Sequence, residues 1–354
     1  MAMPEDVERN VAALLLSGPR GRYVCAQVAQ LADAKVDLPH DASDEAATSR
    51  LLDQLTGLDA EPISALVDPL VLMDSLGAAV DSVRYWQEPD ERDELLHDPR
   101  IVAALEPLAH ALAVAPAARW WWSPLALDEQ ATVGWLERRR KRADRPQWTG
   151  ATQRLQQWRS ETLADEARAA RELPTAYDAH STGSWWSTPL ASTVITTSRR
   201  FDWLPAVQLE LVEDALGWKR AQVAPAGVTP DPRVFEVAAP SDWINLVERY
   251  PLDVDRSRRH DWYRATGGTG PWQIPDWAGV SHDYDGVHLT VAGYLATAGR
   301  ALSTRTGQTV LAGFDPDLTY WLTDSLVQAA PPTTWLRTQR DDDEHEWVRQ
   351  AAAP

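Results

Sequence analysis

The sequence predicts an α+β protein: a helical N-terminal part followed by a mostly antiparallel, β-rich C-terminal part. Three observations carry this. Apolar residues recur at helical spacing up to about position 118. After Pro174 the segments shorten and become rich in Thr, Val, Gly and Pro. Tryptophan follows the same divide: of 18, only Trp86 precedes position 120, and fourteen lie between Trp120 and Trp277.

In the helical part, "PEDVERNVAALLLS" places Val7, Val11, Leu14 and Leu15 on one face, and "GPRG" stops that helix. "RYVCAQVAQLAD" is a second helix. "SDEAATSRLLDQLTGL" opens with a Ser or Asp cap and acids in its first turn, and breaks at Gly57. "PISALVDPLVLMDSLGAAVDSVRYW" gives one or two helices with a break near Pro69. "DPRIVAALEPLAHALAVA" is another, with His110 on its alanine-rich face as a packed core histidine. Ser123-Pro124 has the form of a helix start, a hydroxyl cap followed by proline. A polar, exposed helix covers roughly 152–172.

Strands are expected at "STVITT" (192–197), "AVQLELVED" (206–214), "RAQVAP" (220–225), "RVFEVAA" (233–239), "DGVHLTVAG" (285–293), "QTVLAGF" (308–314) and "LTYWLTD" (318–324). A helix at "SDWINLVERY", capped by Ser241 or Asp242, lies between them. The expected units are a helical domain (1–118), a Trp-rich charged connector (119–175), a ligand-binding α+β domain (176–330) and a loose charged tail (331–354).

The chain has 354 residues with 44% hydrophobic content, enough to bury a substantial core. Apolar runs such as "VAALLL" at 11–16 are too short to cross a bilayer. The start "MAMPEDVERN" holds acids where a secretory signal holds basic residues, so no such signal is expected. Cys25 is the single cysteine and cannot form an internal disulfide. A cytoplasmic protein with no membrane partner is therefore expected. The net charge of −18 repels a phosphate backbone and argues against duplex nucleic acid as a partner. The run "RRRKR" at 138–142 is the local exception. It fits a solvated helix face, because Glu129 and Glu137 can pair with it at helical spacing. Lysine is nearly absent (Lys35, Lys141 and Lys219 only), which points to a high-GC genome.

Chemistry-bearing residues concentrate in two stretches. "RRHDWYR" (258–264) supplies Arg259, His260 and Tyr263 beside the glycine-rich loop "ATGGTGPW". Those glycines permit close backbone approach, but they match neither GxGxxG nor GxxxxGK[ST]. Arginines there suit a phosphate or carboxylate, or an ordinary salt-bridged loop. In "HDYDGVHLTVAGYL" (282–295), taken as a strand, Val287, Leu289 and Val291 share one face, and His288, Thr290 and Ala292 the other. Asp285-Gly286 forms the turn before it. In "LTYWLTD", Tyr320, Leu322 and Asp324 face one way, Trp321 and Thr323 the other. His260, His282 and His288 with Asp285 have the residue types for a metal site, at no standard spacing. No GxSxG elbow supports a serine nucleophile. The near-copies "WWWSPL" (120–125) and "SWWSTPL" (184–190, with Trp185 and Trp186) either line one pocket or pack in the core.

From about 185 to 324 the chain resembles an uncharacterised family of proteins from high-GC actinobacteria. The resemblance rests on "WWSTPL", "LVEDALGW", "RYPLDV", "SRRHDWYRATG", "PDWAGVSHDYDGVHLTVAGYL" and "LAGFDPDLTYWLTD", with "SVRYWQEPDERD" in the N-terminal half. The C-terminal half is also similar in layout to ADP-ribosyltransferase-like proteins, through "RVFEV", "PSDW", "PDW…YDGVHL" and "TYWL". That resemblance implies split antiparallel strands holding NAD in a cleft, with aromatic side chains on the nicotinamide. It departs at the late-strand catalytic glutamate. No glutamate occurs between Glu248 and Glu344, so either Asp317 or Asp324 takes its place or the activity is lost.

The expectation is a small-molecule cleft walled by Arg259, His260, Tyr263, His288, Tyr294, Tyr320 and Trp321, with Asp285, Trp185 and Trp186 beside it. In a transferase using NAD or a related nucleotide, His288 or His260 acts as general base or orients the ribose. Arg259 holds phosphate, and Asp324 stabilises positive charge at the sugar. Two alternatives stand beside it: a non-enzymatic protein that binds a protein partner around a structural His/Asp block, and a metal-dependent enzyme built on those histidines and aspartates.

Overall fold

The computed structural model describes residues 5–39, 44–58, 68–136, 148–179, 182–190, 192–215, 217–339 and 345–351. The N-terminal part is helical, with α1 (Glu5–Ser17), α2 (Pro19–Ala32), α3 (Glu45–Thr56), α4 (Pro69–Asp81), α5 (Glu91–Leu95), α6 (Pro99–Ala104) and α7 (Glu106–Val114). Aspartates start four of them. Asp44, Asp68, Asp90 and Asp98 each accept a first-turn N–H, and proline follows at once in α4 and α6. Cys25 is buried in α2, and burial pushes its thiol up to about 12, so it stays a protonated core side chain.

The C-terminal part is strand-rich. Its main sheet has nine strands. In chain order the strands are β1 (Gln130–Trp135), β2 (Ile195–Arg199), β3 (Arg220–Val228), β4 (Val234–Val237), β5 (Pro251–Asp253), β6 (Gln273–Pro275), β7 (Gly286–Leu289), β8 (Leu302–Ser303), β9 (Gln308–Thr309), β10 (Leu318–Trp321), β11 (Leu326–Gln328), β12 (Thr333–Gln339) and β13 (His345–Arg349). The order across the sheet is β13-β12-β3-β1-β2-β10-β7-β4, with β11 also on β3; β5-β6 and β8-β9 are separate two-stranded pairs. Every pairing in the main sheet is antiparallel except β4 with β7, among the described residues. Five further helices are α8 (Ala151–Glu172), α9 (Pro240–Arg249), α10 (Asp255–Thr266), α11 (Trp277–Val280) and α12 (Val291–Thr297). No described helix is long and apolar enough to cross a membrane.

The sheet has two unlike faces. Phe235, Val287 and Tyr320 align across β4, β7 and β10, and Val237 aligns with Leu289. Most of these join a single hydrophobic cluster that runs from Ala12 to Trp347. On the other face Glu236, His288, Thr319 and Thr197 stand in one row. Residues 124 and 125 cross that row: Pro124 O accepts from Arg199, and Leu125 N–H donates to Glu236.

Several sequence expectations are corrected. "RRHDWYR" is not a loop but part of α10, ended by Gly267 with φ 70°. The strand expected over 285–293 stops at Leu289. Thr290 then caps α12 by accepting from Gly293 N–H, so Val291 and Ala292 are helical. "AVQLELVED" forms a single 3-10 turn, Val207–Leu209. Ser123-Pro124 starts no α-helix: a 3-10 segment, Pro116–Trp122, ends there and β1 follows. Asp242 does cap α9, but from inside its first turn, accepting from Ala238 and Ala239 N–H. The stretch expected to be a loose tail carries β12 and β13. His110 is half-exposed, 3.9 Å from Glu106, and is not in the core. The "RRRKR" run lies outside the described residues.

Close packing fixes α12 against β4. A β-carbon at Gly293 would lie 2.3 Å from Val237 O, which is backbone and cannot yield. Gly293→Ala is expected to cost roughly 1–3 kcal/mol or more by overpacking. A lower urea midpoint with unchanged m-value checks it; an unchanged midpoint would show that the helix is free to shift.

Candidate functional site

His288, singled out from the sequence, is the hub of a buried ionic network. It is 1% exposed. Its Nδ1 lies 2.6 Å from Glu236 Oε2 on the neighbouring parallel strand, and its Nε2 lies 3.6 Å from Asp317 Oδ1. Asp317 also accepts from Arg199 N–H at 2.8 Å and pairs with its guanidinium, which reaches on toward Glu129. Asp317 holds this pose at φ 55°, the left-handed region that Asp tolerates. Burial alone would lower the His288 imidazole. The carboxylates of Asp317 and Glu236 outweigh it and hold it up at about 9. At neutral pH His288 is therefore a cation between two carboxylates, and neither ring nitrogen is free to act as a base.

The other expected residues fall into separate places. Tyr320 and Trp321 point to opposite faces of β10. Tyr320 hydroxyl reaches Gly313 O and Thr188, while Trp321 donates to Thr197 on the His288 side. Asp324 accepts from Gly150 and Ala151 N–H and so caps the long helix α8. Asp285 pairs with Arg233 and accepts from Thr323. On α10, Arg259 pairs with Asp255, donates to Thr175 O and lies over the Tyr177 ring, which Tyr263 also packs against. His260 Nδ1 lies 3.0 Å from Tyr177 O. Trp185 and Trp186 stack at 4.2 Å, with Tyr85 and Trp86 against Trp185, while Trp120 packs edge-on to Phe201. His282 is exposed. Among the described residues no group of three or more His, Cys, Asp or Glu is arranged to hold a metal ion.

Two buried acids escaped sequence reasoning. Glu213 accepts from Gly313 N–H, and its backbone N–H donates to Asp315. Burial, then the charge of Asp315, pushes the Glu213 carboxyl up to about 8; burial pushes Asp315 up to about 6. Proton counting agrees. Tyr85 hydroxyl lies 2.7 Å from Glu213 Oε1 and 2.9 Å from Leu311 O. One hydroxyl has one proton, so a protonated Glu213 donating to Tyr85, with Tyr85 donating to Leu311 O, satisfies both contacts. Burial likewise raises Tyr294 well above its ordinary value, with the Glu213 charge adding to it.

The open space lies elsewhere. A cavity of about 600 Å³ separates the start of α2 and the segment 82–97 from Ala265, Thr266 and residues 299–301. The two halves meet beside it at backbone distance: a β-carbon on Gly18 would lie 2.1 Å from Leu295 O of α12. Arg20, Arg22, Arg84, Arg300 and His97 line the cavity, and so do the acids Glu88, Asp90, Asp93 and Glu94. Arg20 pairs with Asp93 and bonds Ser82, and Arg84 lies 3.4 Å from Asp214. Arg22 and Arg300 differ. Arg22 is 7% exposed, approaches only the His97 ring at 3.3 Å, and its Nε has no partner. Arg300 donates to Ala296 O. Neither has a carboxylate in ion-pair contact among the described residues. Burial lowers both guanidinium values, and Arg300 lowers Arg22 further. The sequence signal was "PRGR", two charges entering an otherwise apolar helix, and its role as a helix stop masked it.

Comparison with protein-family models, curated proteins and solved structures returned no match to this chain.

His288→Gln is expected to destabilise in a pH-dependent way. A folded value of about 9 against an ordinary 6.5 corresponds to about 3 kcal/mol, fully present below pH 6.5 and lost as pH rises through 9. The raised carboxyls of Glu213 and Asp315 act in the same sense at lower pH. Urea unfolding of the native protein should therefore weaken steadily from pH 5 to 9; the variant should show a shallower slope between 6.5 and 8, where Glu213 still contributes, and none between 8 and 9. A flat native profile would contradict the charged His288. Asp324→Ala should cost about 1 kcal/mol as a lost helix cap; a drop several times larger would show that Asp324 does more than cap α8.

Proposed function

We propose that this is a small-molecule-binding protein whose ligand carries negative charge and seats in the cavity between the helical and strand-rich halves. The carrying observation is the pair Arg22 and Arg300: two partly desolvated like charges beside one space, neither in ion-pair contact with a carboxylate among the described residues, on a lining that also holds Glu88, Asp90, Asp93 and Glu94. Of the two, Arg22 is buried and Arg300 half-buried, and buried charges are normally paired. A bound anion supplies the missing partner. The volume falls in the range of small-molecule sites.

NAD, expected from the sequence, remains one ligand of suitable charge, through its pyrophosphate. Support for it now comes from this cavity rather than from the expected cleft, because His288, Asp324 and Arg259 are engaged in internal bonds. Transfer chemistry gains no residue here and is not part of the proposal. The single thiol, Cys25, buried and raised, is compatible with a reducing cytoplasm, where we place the protein.

Millimolar anions (sulfate, phosphate, citrate, NAD) at constant ionic strength should raise the melting temperature by a few degrees. An anion at 100 times its dissociation constant adds roughly 2.7 kcal/mol. Arg22→Gln and Arg300→Gln should abolish the shift. A panel in which no anion stabilises the native protein removes the proposal.

A further inference from the structure

We infer that Glu213 is a proton-operated latch: protonated, it holds the connection between α4 and α5 against the strand-rich half, and ionised, it lets that connection go. The latch does not depend on what the cavity binds.

The connection runs from Ser82 to Asp90 and carries no helix or strand. Val83, Arg84, Gln87 and Glu88 form one wall of the cavity. From Arg84 to Asp90, Tyr85 is the one buried side chain. Its ring stacks on Trp185, and its hydroxyl ends at Glu213 and Leu311 O. Two further ties, Arg84 to Asp214 and Arg264 to Trp86 O, are half-exposed.

Proton counting makes the Tyr85 tie conditional. Glu213 Oε2 accepts from Gly313 N–H at 2.7 Å, and Oε1 lies 2.7 Å from the Tyr85 hydroxyl. That hydroxyl lies 2.9 Å from Leu311 O. With a proton on Oε1, Glu213 donates to Tyr85, Tyr85 donates to Leu311 O, and every contact is made. When that proton leaves for solvent, the one Tyr85 proton faces two acceptors, a carboxylate and a carbonyl. One of them loses its bond in a dry site, where an unmade bond is costly.

Tyr294, on α12, supplies the alternative partner. Its hydroxyl is fully buried, has no hydrogen-bond partner, and lies where the Glu213 charge acts on it. The ionised Glu213 accepts from Tyr294 in place of Tyr85. Tyr85 keeps Leu311 O, and its lone pairs then oppose the carboxylate. The other titratable groups around this carboxyl are Asp315, which accepts from Glu213 N–H, Tyr320, and Arg20, which acts on both tyrosine hydroxyls. No Arg, Lys or His is in ion-pair contact with Glu213 among the described residues.

Burial, then the charge of Asp315, puts proton loss in the latched state at about pH 8. Opening brings the carboxyl to water, where its ordinary value is 4.5. Opening therefore releases a proton between these values and is favoured about tenfold per pH unit across the window. Above 8 both states are ionised and the dependence ends.

Limited trypsin digestion of the full chain, without ligand, tests this through the initial rate of cleavage after Arg84, read by mass spectrometry. At each pH the rate is divided by that of a free peptide of the same sequence, so that it tracks the open population. It should rise about tenfold per pH unit from 6 to 8 and level off above 8. Cleavage after Arg199, at the end of β2, should be slower throughout; equal rates would make the opening global and overturn the latch. In Glu213→Gln the amide donates to Tyr85 and the carbonyl accepts from Gly313, so cleavage after Arg84 should be slow and flat with pH. Tyr294→Phe removes the donor to the ionised form and should move the levelling to higher pH; an unmoved levelling overturns the exchange of partners. A flat native profile between pH 6 and 8, or a slope that persists in Glu213→Gln, overturns the latch and leaves the anion proposal standing.

Discussion

The charged His288 between Glu236 and Asp317 is the contact on which the C-terminal architecture turns. β4 is four residues long and has one neighbour in the sheet, the parallel strand β7. So short an edge strand gains little from its ladder alone. The His288–Glu236 bond joins the two strands a second time, through side chains. Asp317 extends the tie to β10, and Arg199 to β2. A register slip of one residue in β4 would turn Glu236 to the apolar face and strand the imidazolium without its nearest partner. The network therefore specifies register as well as contributing energy.

That register reaches the cavity through a short chain of rigid parts. β7 ends at Leu289, Thr290 caps α12, and Gly293 seats that helix directly on Val237 O of β4. α12 ends at Thr297, and Arg300 follows three residues later. The same helix meets the start of α2 at Gly18. The positions of Arg300 and Arg22 are thus set by elements that cannot move independently.

The sequence made the architecture legible where periodicity was strong. α8, with its polar face, and the main strands after Pro174 stood out, and the alternation in 286–289 put His288 on the face opposite Val287 and Leu289. It failed where short apolar runs have two solutions. "GVHLTVAGYL" alternates like a strand throughout, but Thr290 provides a cap and Gly293 allows a close approach, so a helix wins from Val291. "RRHDWYR" is poor in apolar residues, yet its helix is buried on several sides by polar contacts that no periodicity records. The candidate site was less legible still. The eye goes to dense clusters of His, Asp and Arg, and in this fold the dense clusters neutralise one another. What distinguishes Arg22 and Arg300 is that neither has a carboxylate in ion-pair contact among the described residues, a property of three-dimensional neighbours.

Electrostatics gives the two halves different tasks. Over the whole chain acids exceed bases by 18, a field that repels anions at long range. Within the core, burial cancels part of that excess: Glu213 rises to about 8 and Asp315 to about 6, while His288 stays protonated. Folding therefore takes up protons, and the interior is less acidic than the composition suggests. Against this background the cavity mixes both signs: Arg20, Arg22, Arg84 and Arg300 face Glu88, Asp90, Asp93 and Glu94, and Arg22 and Arg300 have no carboxylate in ion-pair contact among the described residues. A compact anion bridging the two halves would add its own contacts to a junction already formed by Gly18 and α12, so occupancy and the integrity of that junction are thermodynamically linked.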